Sequence, residues 1–90
     1  MDIIVEHNPE RAQLDALGVF DWPVWEKGIS RFDWNYDTRE ACYITAGTFT
    51  VTPADGVPVE LTAGDYVIFT AGMSCVWDIT NPISKHYRFG

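Results

Sequence analysis

Ninety residues, 47% of them hydrophobic and 14% aromatic, fit one domain over residues 1–90 that must pack efficiently, because so short a chain hides only about 60% of its unfolded surface. Four Trp, four Tyr and five Phe supply large buried areas per side chain and argue against a disordered chain. A net charge of −7 lacks the basic footprint that nucleic acid or an anionic membrane surface requires, so neither is an expected partner.

The chain opens on an apolar run at residues 3–5, read as a short strand. The segment NPERAQLDALG then carries helix punctuation: Asn8 as cap, Pro9 at the first helical position, Glu10 at the positive end of the dipole and Gly18 as terminator. Leu14 and Leu17 lie three apart, so this helix is expected to pack one narrow face and to act as a lid or edge cover. No basic start and apolar core mark an export signal in MDIIVEHNPE, and no apolar run reaches the ~18 residues of a spanning helix. The expected location is the cytoplasm, where Cys42 and Cys75 are free thiols by default.

From Trp22 onward, short β-branched and aromatic runs alternate with Gly, Pro, Asn and Asp, as in sandwiches and barrels. Strands are expected at 22–27, 30–36, 40–45, 48–52, 57–61, 66–69, 75–79 and 85–89, with a hairpin over Ala54, Asp55 and Gly56. Thr-Ala-Gly recurs at 45–47, 62–64 and 70–72, read as strand ends where glycine takes a positive φ. Trp22 and Trp25, on an early strand, are expected to be exposed and to offer a dimer face.

Period-two alternation sorts side chains into faces. Phe32, Trp34 and Tyr36 form an apolar set, of which Trp34 and Tyr36 should point inward, and Asp33, Asn35 and Asp37 a polar one. On the next strand Glu40, Cys42 and Ile44 share one face and Ala41, Tyr43 and Thr45 the other; both are partly apolar, which leaves the side open.

These segments resemble the cupins, small jelly-roll barrels whose first motif runs Gly, five residues, His-x-His, three or four residues, Glu, six residues, Gly. Five residues separate Gly28 from Trp34, and six separate Glu40 from Gly47. The second motif, Gly, five residues, Pro-x-Gly, two residues, His, matches Gly64 to Cys75, with Thr70 for Pro and Cys75 for His. WPVWEKGISRFDWNYDTREACYITAG and GDYVIFTAGMSCVWDI are similar to the short single-domain cupins related to the cupin domain of ureidoglycine aminohydrolase. The resemblance implies an all-β cupin barrel with one short N-terminal helix, and a homodimer.

Carried over residue by residue, the histidine positions of the first motif fall on Trp34 and Tyr36, or, in the longer register, on Asp33 and Asn35. The second register would give Asp33, Asn35 and Glu40 as oxygen ligands for a hard ion, but turns Trp34 and Tyr36 outward. In the first, indole nitrogen is only a donor and a phenol binds metal poorly. Glu40 and Cys75 alone remain, fewer than the three ligands of a catalytic zinc site, so no strong metal site is expected and only weak divalent binding is left open. His7 and His86 lie outside both motifs and read as surface or edge residues.

The resulting candidate site comprises Trp34, Tyr36, Glu40, Cys42, Cys75 and Trp77 as ligand-binding residues, with Glu40 and Cys75 as the catalytic candidates. A buried carboxylate among aromatic rings must be paired or protonated, and suits ligand anchoring or general acid/base chemistry. Cys42 and Cys75 also read as small core hydrophobes, and no histidine is placed to activate either thiol. Three functions stand open: a barrel binding a compact, nitrogen-containing metabolite; a hydrolase or amidohydrolase on a ureido-type compound, as the resemblance implies; and a non-catalytic interaction or regulatory subunit whose barrel is filled by its own side chains.

Overall fold

A computed structural model describes residues 3–90. It contains β1 (Ile3–His7), α1 (Arg11–Leu17), a 3-10 turn (Val19–Asp21), β2 (Val24–Lys27), β3 (Ser30–Asn35), β4 (Glu40–Pro53), β5 (Val59–Thr62), β6 (Asp65–Phe69) and β7 (Ser74–Phe89). All the strand pairings are antiparallel, and the result is the expected all-β jelly roll with one short helix.

Two long strands organise it. The first part of β4, Glu40 to Tyr43, lies between β6 and the end of β7, and β1 and β2 extend this half to the order β1-β6-β4-β7-β2. The second part of β4, Thr48 to Val51, lies between β5 and the start of β7, which pairs in turn with β3. Each long strand therefore belongs to both sheets. Cys42, Ile44, Val67 and Phe69 of one half meet Phe49, Val51, Leu61, Trp77 and Ile79 of the other in a single buried core.

Crossing between sheets needs a bend, and register shifts between Ile44 and Phe49 provide it. Gly47 sits there at φ 92°, and a Cβ added to it would meet the Pro82 carbonyl oxygen at 2.2 Å. The Thr-Ala-Gly at 45–47 is thus a bulge within one strand, a correction to the strand end expected from sequence. Runs 40–45 and 48–52 join into β4, and 75–79 and 85–89 into β7. Gly64 and Gly72 do have positive φ between strands, as expected, and the hairpin after Pro53 closes with Gly56 N–H donating to the Pro53 carbonyl at 3.2 Å.

The helix begins later than its punctuation indicates. Asn8, at φ 50°, ends β1 and donates its backbone N–H to the Gly64 carbonyl, while Glu10 occupies the N-cap without a side-chain bond. Gly18 does close the helix in the left-handed conformation. Leu14 and Val19 pack with Ala41 and Tyr66, flanked by Trp22 and Tyr43, on the outer face of the first sheet. That contact decides the side left open on β4: Ala41 and Tyr43 face the helix, and Glu40, Cys42 and Ile44 face the barrel interior. Trp22 and Trp25 are half-buried, not the exposed face expected of them.

Candidate functional site

Glu40 begins β4 with its side chain inside the barrel, 2% exposed. Isolated, that carboxylate would be costly, and two donors resolve the cost. Tyr36, which follows β3, donates its hydroxyl to Oε1 at 2.7 Å, and Lys85 of β7 donates Nζ to Oε2 at 2.6 Å. Lys85 pairs across the ladder with Ile44, on the same face of β4 as Glu40, so its stem runs along that inner face to reach the carboxylate. Lys85 is itself buried, its side chain 6% exposed.

Aromatic rings enclose the ammonium. Nζ lies 4.7 Å from the Trp77 ring centre, 5.0 Å from that of Trp25 and 5.9 Å from that of Tyr87. Trp25 of β2 is the cross-strand neighbour of Lys85, which places the ring on the same face, and it meets Trp77 edge to face at 6.1 Å. Trp77 makes stacked contacts with Phe49 and Phe32 at 4.8 and 5.8 Å. Such rings attract a cation through their negative faces, and more strongly where water is excluded.

A cavity of about 260 Å³ opens onto this arrangement. Tyr36, Glu40, Trp77 and Lys85 are its buried wall, and the remaining lining residues are all aromatic: Trp25, Phe32, Trp34, Tyr87 and Phe89. Trp34 and Phe89 are 45% and 48% exposed and so stand at the mouth. Trp34 lines the cavity but is not enclosed by it, because β3 is the last strand of its sheet.

The protonation of Tyr36 is fixed by these surroundings. Burial, then the Glu40 carboxylate beside it, push the Tyr36 phenol far above its ordinary range, so it stays a neutral donor. Among the described residues Glu40 is the only hydrogen-bond acceptor of Lys85, and an ammonium has three donors. The Lys85 ammonium therefore keeps donor capacity to spare.

Four sequence-predicted residues, Trp34, Tyr36, Glu40 and Trp77, meet at this cavity. Cys42 and Cys75 do not line it; both are free, buried and part of the core. Burial pushes the Cys42 thiol up to about 12, against the pull of Lys85, and pushes the Cys75 thiol up too, partly offset by the Trp77 N–H. The Cys75 Sγ–H donates to the Trp34 carbonyl at 3.5 Å. His7 lies against Asp65 at 2.7 Å, and the His86 Nδ1–H donates to the Trp22 carbonyl at 3.0 Å; neither lines the cavity. Lys85, Trp25, Phe32, Tyr87 and Phe89 were not among the site residues expected from sequence; Trp25 was expected on a dimer face, and Phe32 only in the apolar set of its strand. Alternation of Ile83, Lys85 and Tyr87 with Ser84, His86 and Arg88 along β7 is the signal that marks Lys85 as inward.

The metal that the cupin motifs imply does not fit these residues. Trp34 offers no lone pair, Tyr36 is held away from phenolate, Cys75 is off the cavity, and both Glu40 oxygens are engaged. Among the described residues no group of three or more His, Cys, Asp or Glu side chains could hold an ion. The cation facing Glu40 is the Lys85 ammonium.

Residues 14–87 match the model of the EutQ-like cupin domain. The chain belongs to this cupin family. It is also similar over 99% of its length, and all of the other chain, to a DUF861-family protein from Thermotoga maritima, at 42% identity and a TM-score of 0.95. The EutQ protein of Clostridium difficile and a putative ethanolamine utilization protein Q of Salmonella typhimurium share the fold at TM-scores of 0.66 and 0.67, with 21% and 18% identity over 73% of this chain. This cupin spans only 52% and 53% of their lengths. No curated protein matches. The matches support the cupin part of the expectation, and not a specific likeness to ureidoglycine aminohydrolase. No helix among the described residues is long and apolar enough to cross a membrane.

Proposed function

We propose that this cupin binds a compact, flat metabolite bearing an oxygen acceptor, a carbonyl or carboxylate, and that Lys85 is the polar contact. The observation that carries this is a buried ammonium with spare donors facing an aromatic cavity of about 260 Å³. Glu40 changes role on this reading. With Oε1 held by Tyr36 and Oε2 by Lys85, its part is to orient Lys85. The open cavity favours ligand binding over a barrel filled by its own side chains. A cytoplasmic location and a homodimer are further parts of the proposal, and no resident metal is required by it.

Thermal-shift and calorimetric titration with small oxo acids and flat aromatic carboxylates tests it. A ligand should stabilise the protein equally with and without EDTA, and Lys85→Met should weaken binding by about tenfold or more, the loss of one charge-assisted hydrogen bond. Unchanged affinity in Lys85→Met, or dependence on a divalent metal, would overturn the reading.

A further inference from the structure

We propose that Lys85 is an imine-forming nucleophile for a small aldehyde or ketone, with Glu40 as its proton carrier and Tyr36 as the residue that positions Glu40. This rests on the reading that the cavity takes a compact oxygen-bearing ligand, and narrows that ligand to a carbonyl compound.

The geometry supplies what the step needs. The 2.6 Å contact between Nζ and Oε2 is a direct path for a proton, and the Tyr36 hydroxyl at 2.7 Å holds the other carboxylate oxygen in place. Transfer from Nζ to Oε2 leaves an amine and a carboxylic acid, a neutral pair suited to a buried site. The amine lone pair attacks the carbonyl carbon; the C–N bond forms, the C=O π pair moves to oxygen, and proton exchange through Glu40 gives the neutral carbinolamine. Glu40 then protonates the hydroxyl, water leaves, and the nitrogen lone pair forms C=N. The balance is one ammonium, one carboxylate and one carbonyl compound giving one protonated imine, one carboxylate and one water. No oxidant or reductant enters.

The product also suits its surroundings. A protonated imine is a cation at the position of the ammonium, so it keeps Glu40 as counter-ion and the faces of Trp25 and Trp77 as neighbours. Aromatic walls limit the water that would hydrolyse it. The chain provides its own control, since its only other lysine, Lys27, is exposed on β2.

The test treats native protein with pyruvate, glyoxylate or benzaldehyde in the presence of sodium cyanoborohydride, and locates the reduced adduct by peptide mass mapping. At least one probe should label Lys85 over Lys27 by about tenfold or more, a preference lost when the protein is denatured in urea before labelling. Lys85→Arg should abolish the selective adduct while keeping the charge. Glu40→Gln should slow adduct formation by about tenfold or more; denatured wild-type protein decides the matter if that variant does not fold. Labelling of Lys27 equal to or above Lys85 with all three probes overturns the proposal. If pyruvate then still stabilises the protein against heat, the binding reading survives and only the imine falls; with no stabilisation, both fall.

Discussion

Burying the Cys42 thiol and the Tyr36 phenol inside the barrel makes their protonation part of the stability of the fold. Cys42 rises from an ordinary value of 9.0 to about 12, chiefly through loss of hydration, and Tyr36 rises as well. A raised acid binds its proton in the folded state after the unfolded chain has released it. Stability is therefore complete below pH 9 and falls as pH climbs, by about 1.4 kcal/mol per pH unit for Cys42 from about 9 toward 12, and by a similar slope for Tyr36 above its ordinary 10.0. Urea melts across this range should show that fall, and Cys42→Ala should remove one group's share of the slope. An unchanged slope in Cys42→Ala would mean that the thiol does not stay protonated in the folded state. The same burial works against either cysteine acting as a nucleophile at neutral pH.

At the level of the strands, the bend at Gly47 is the feature that lets β4 serve two sheets. Its positive φ and the 2.2 Å approach of an added Cβ to backbone oxygen leave alanine no room, and the neighbour is not a side chain that could swing away. Gly18 has a similar φ of 73° but open space around it. Gly18→Ala should therefore cost about 1–2 kcal/mol of left-handed strain, a fall of roughly 4–16 °C in Tm, whereas Gly47→Ala should cost clearly more or prevent folding. Equal effects by calorimetry would remove the argument that Gly47 is held by close backbone packing. This bend also marks the limit of the sequence reading. The cupin frame and the alternation of Phe32, Trp34 and Tyr36 were legible, because period and spacing are local properties. Whether a glycine ends a strand or bends it depends on what passes behind it, here Pro82, thirty-five positions on in the chain. Depth is equally non-local: Glu40 and Cys42 share a face, yet one lines the cavity and the other lies in the core. Lys85 was legible in principle, but its alternation with Ile83 and Tyr87 is hidden by a charged identity that ordinarily belongs outside.

For the molecule as a whole, a buried ion pair is a poor way to stabilise 90 residues. Domains of this size have only about 5–15 kcal/mol in hand. Removing one partner strands the other, so Lys85→Met should cost about 3–5 kcal/mol, much of the total. Replacing the whole unit has a different outcome. In Tyr36→Phe with Glu40→Leu and Lys85→Met, no buried charge or hydroxyl is left without its partner, and packing compensates the lost contacts; such replacements are commonly neutral or stabilising by about 1–4 kcal/mol. The triple variant should therefore unfold at or above the wild-type temperature while losing every ligand effect and every Lys85 adduct. That separation is what distinguishes a site from a structural element. If calorimetry finds the triple variant as unstable as Lys85→Met, the Tyr36–Glu40–Lys85 unit is part of what holds the barrel together, and its burial no longer argues for a ligand. If the triple variant regains stability, the barrel carries the unit at a cost to its own fold, which is what the proposed binding at Lys85 requires.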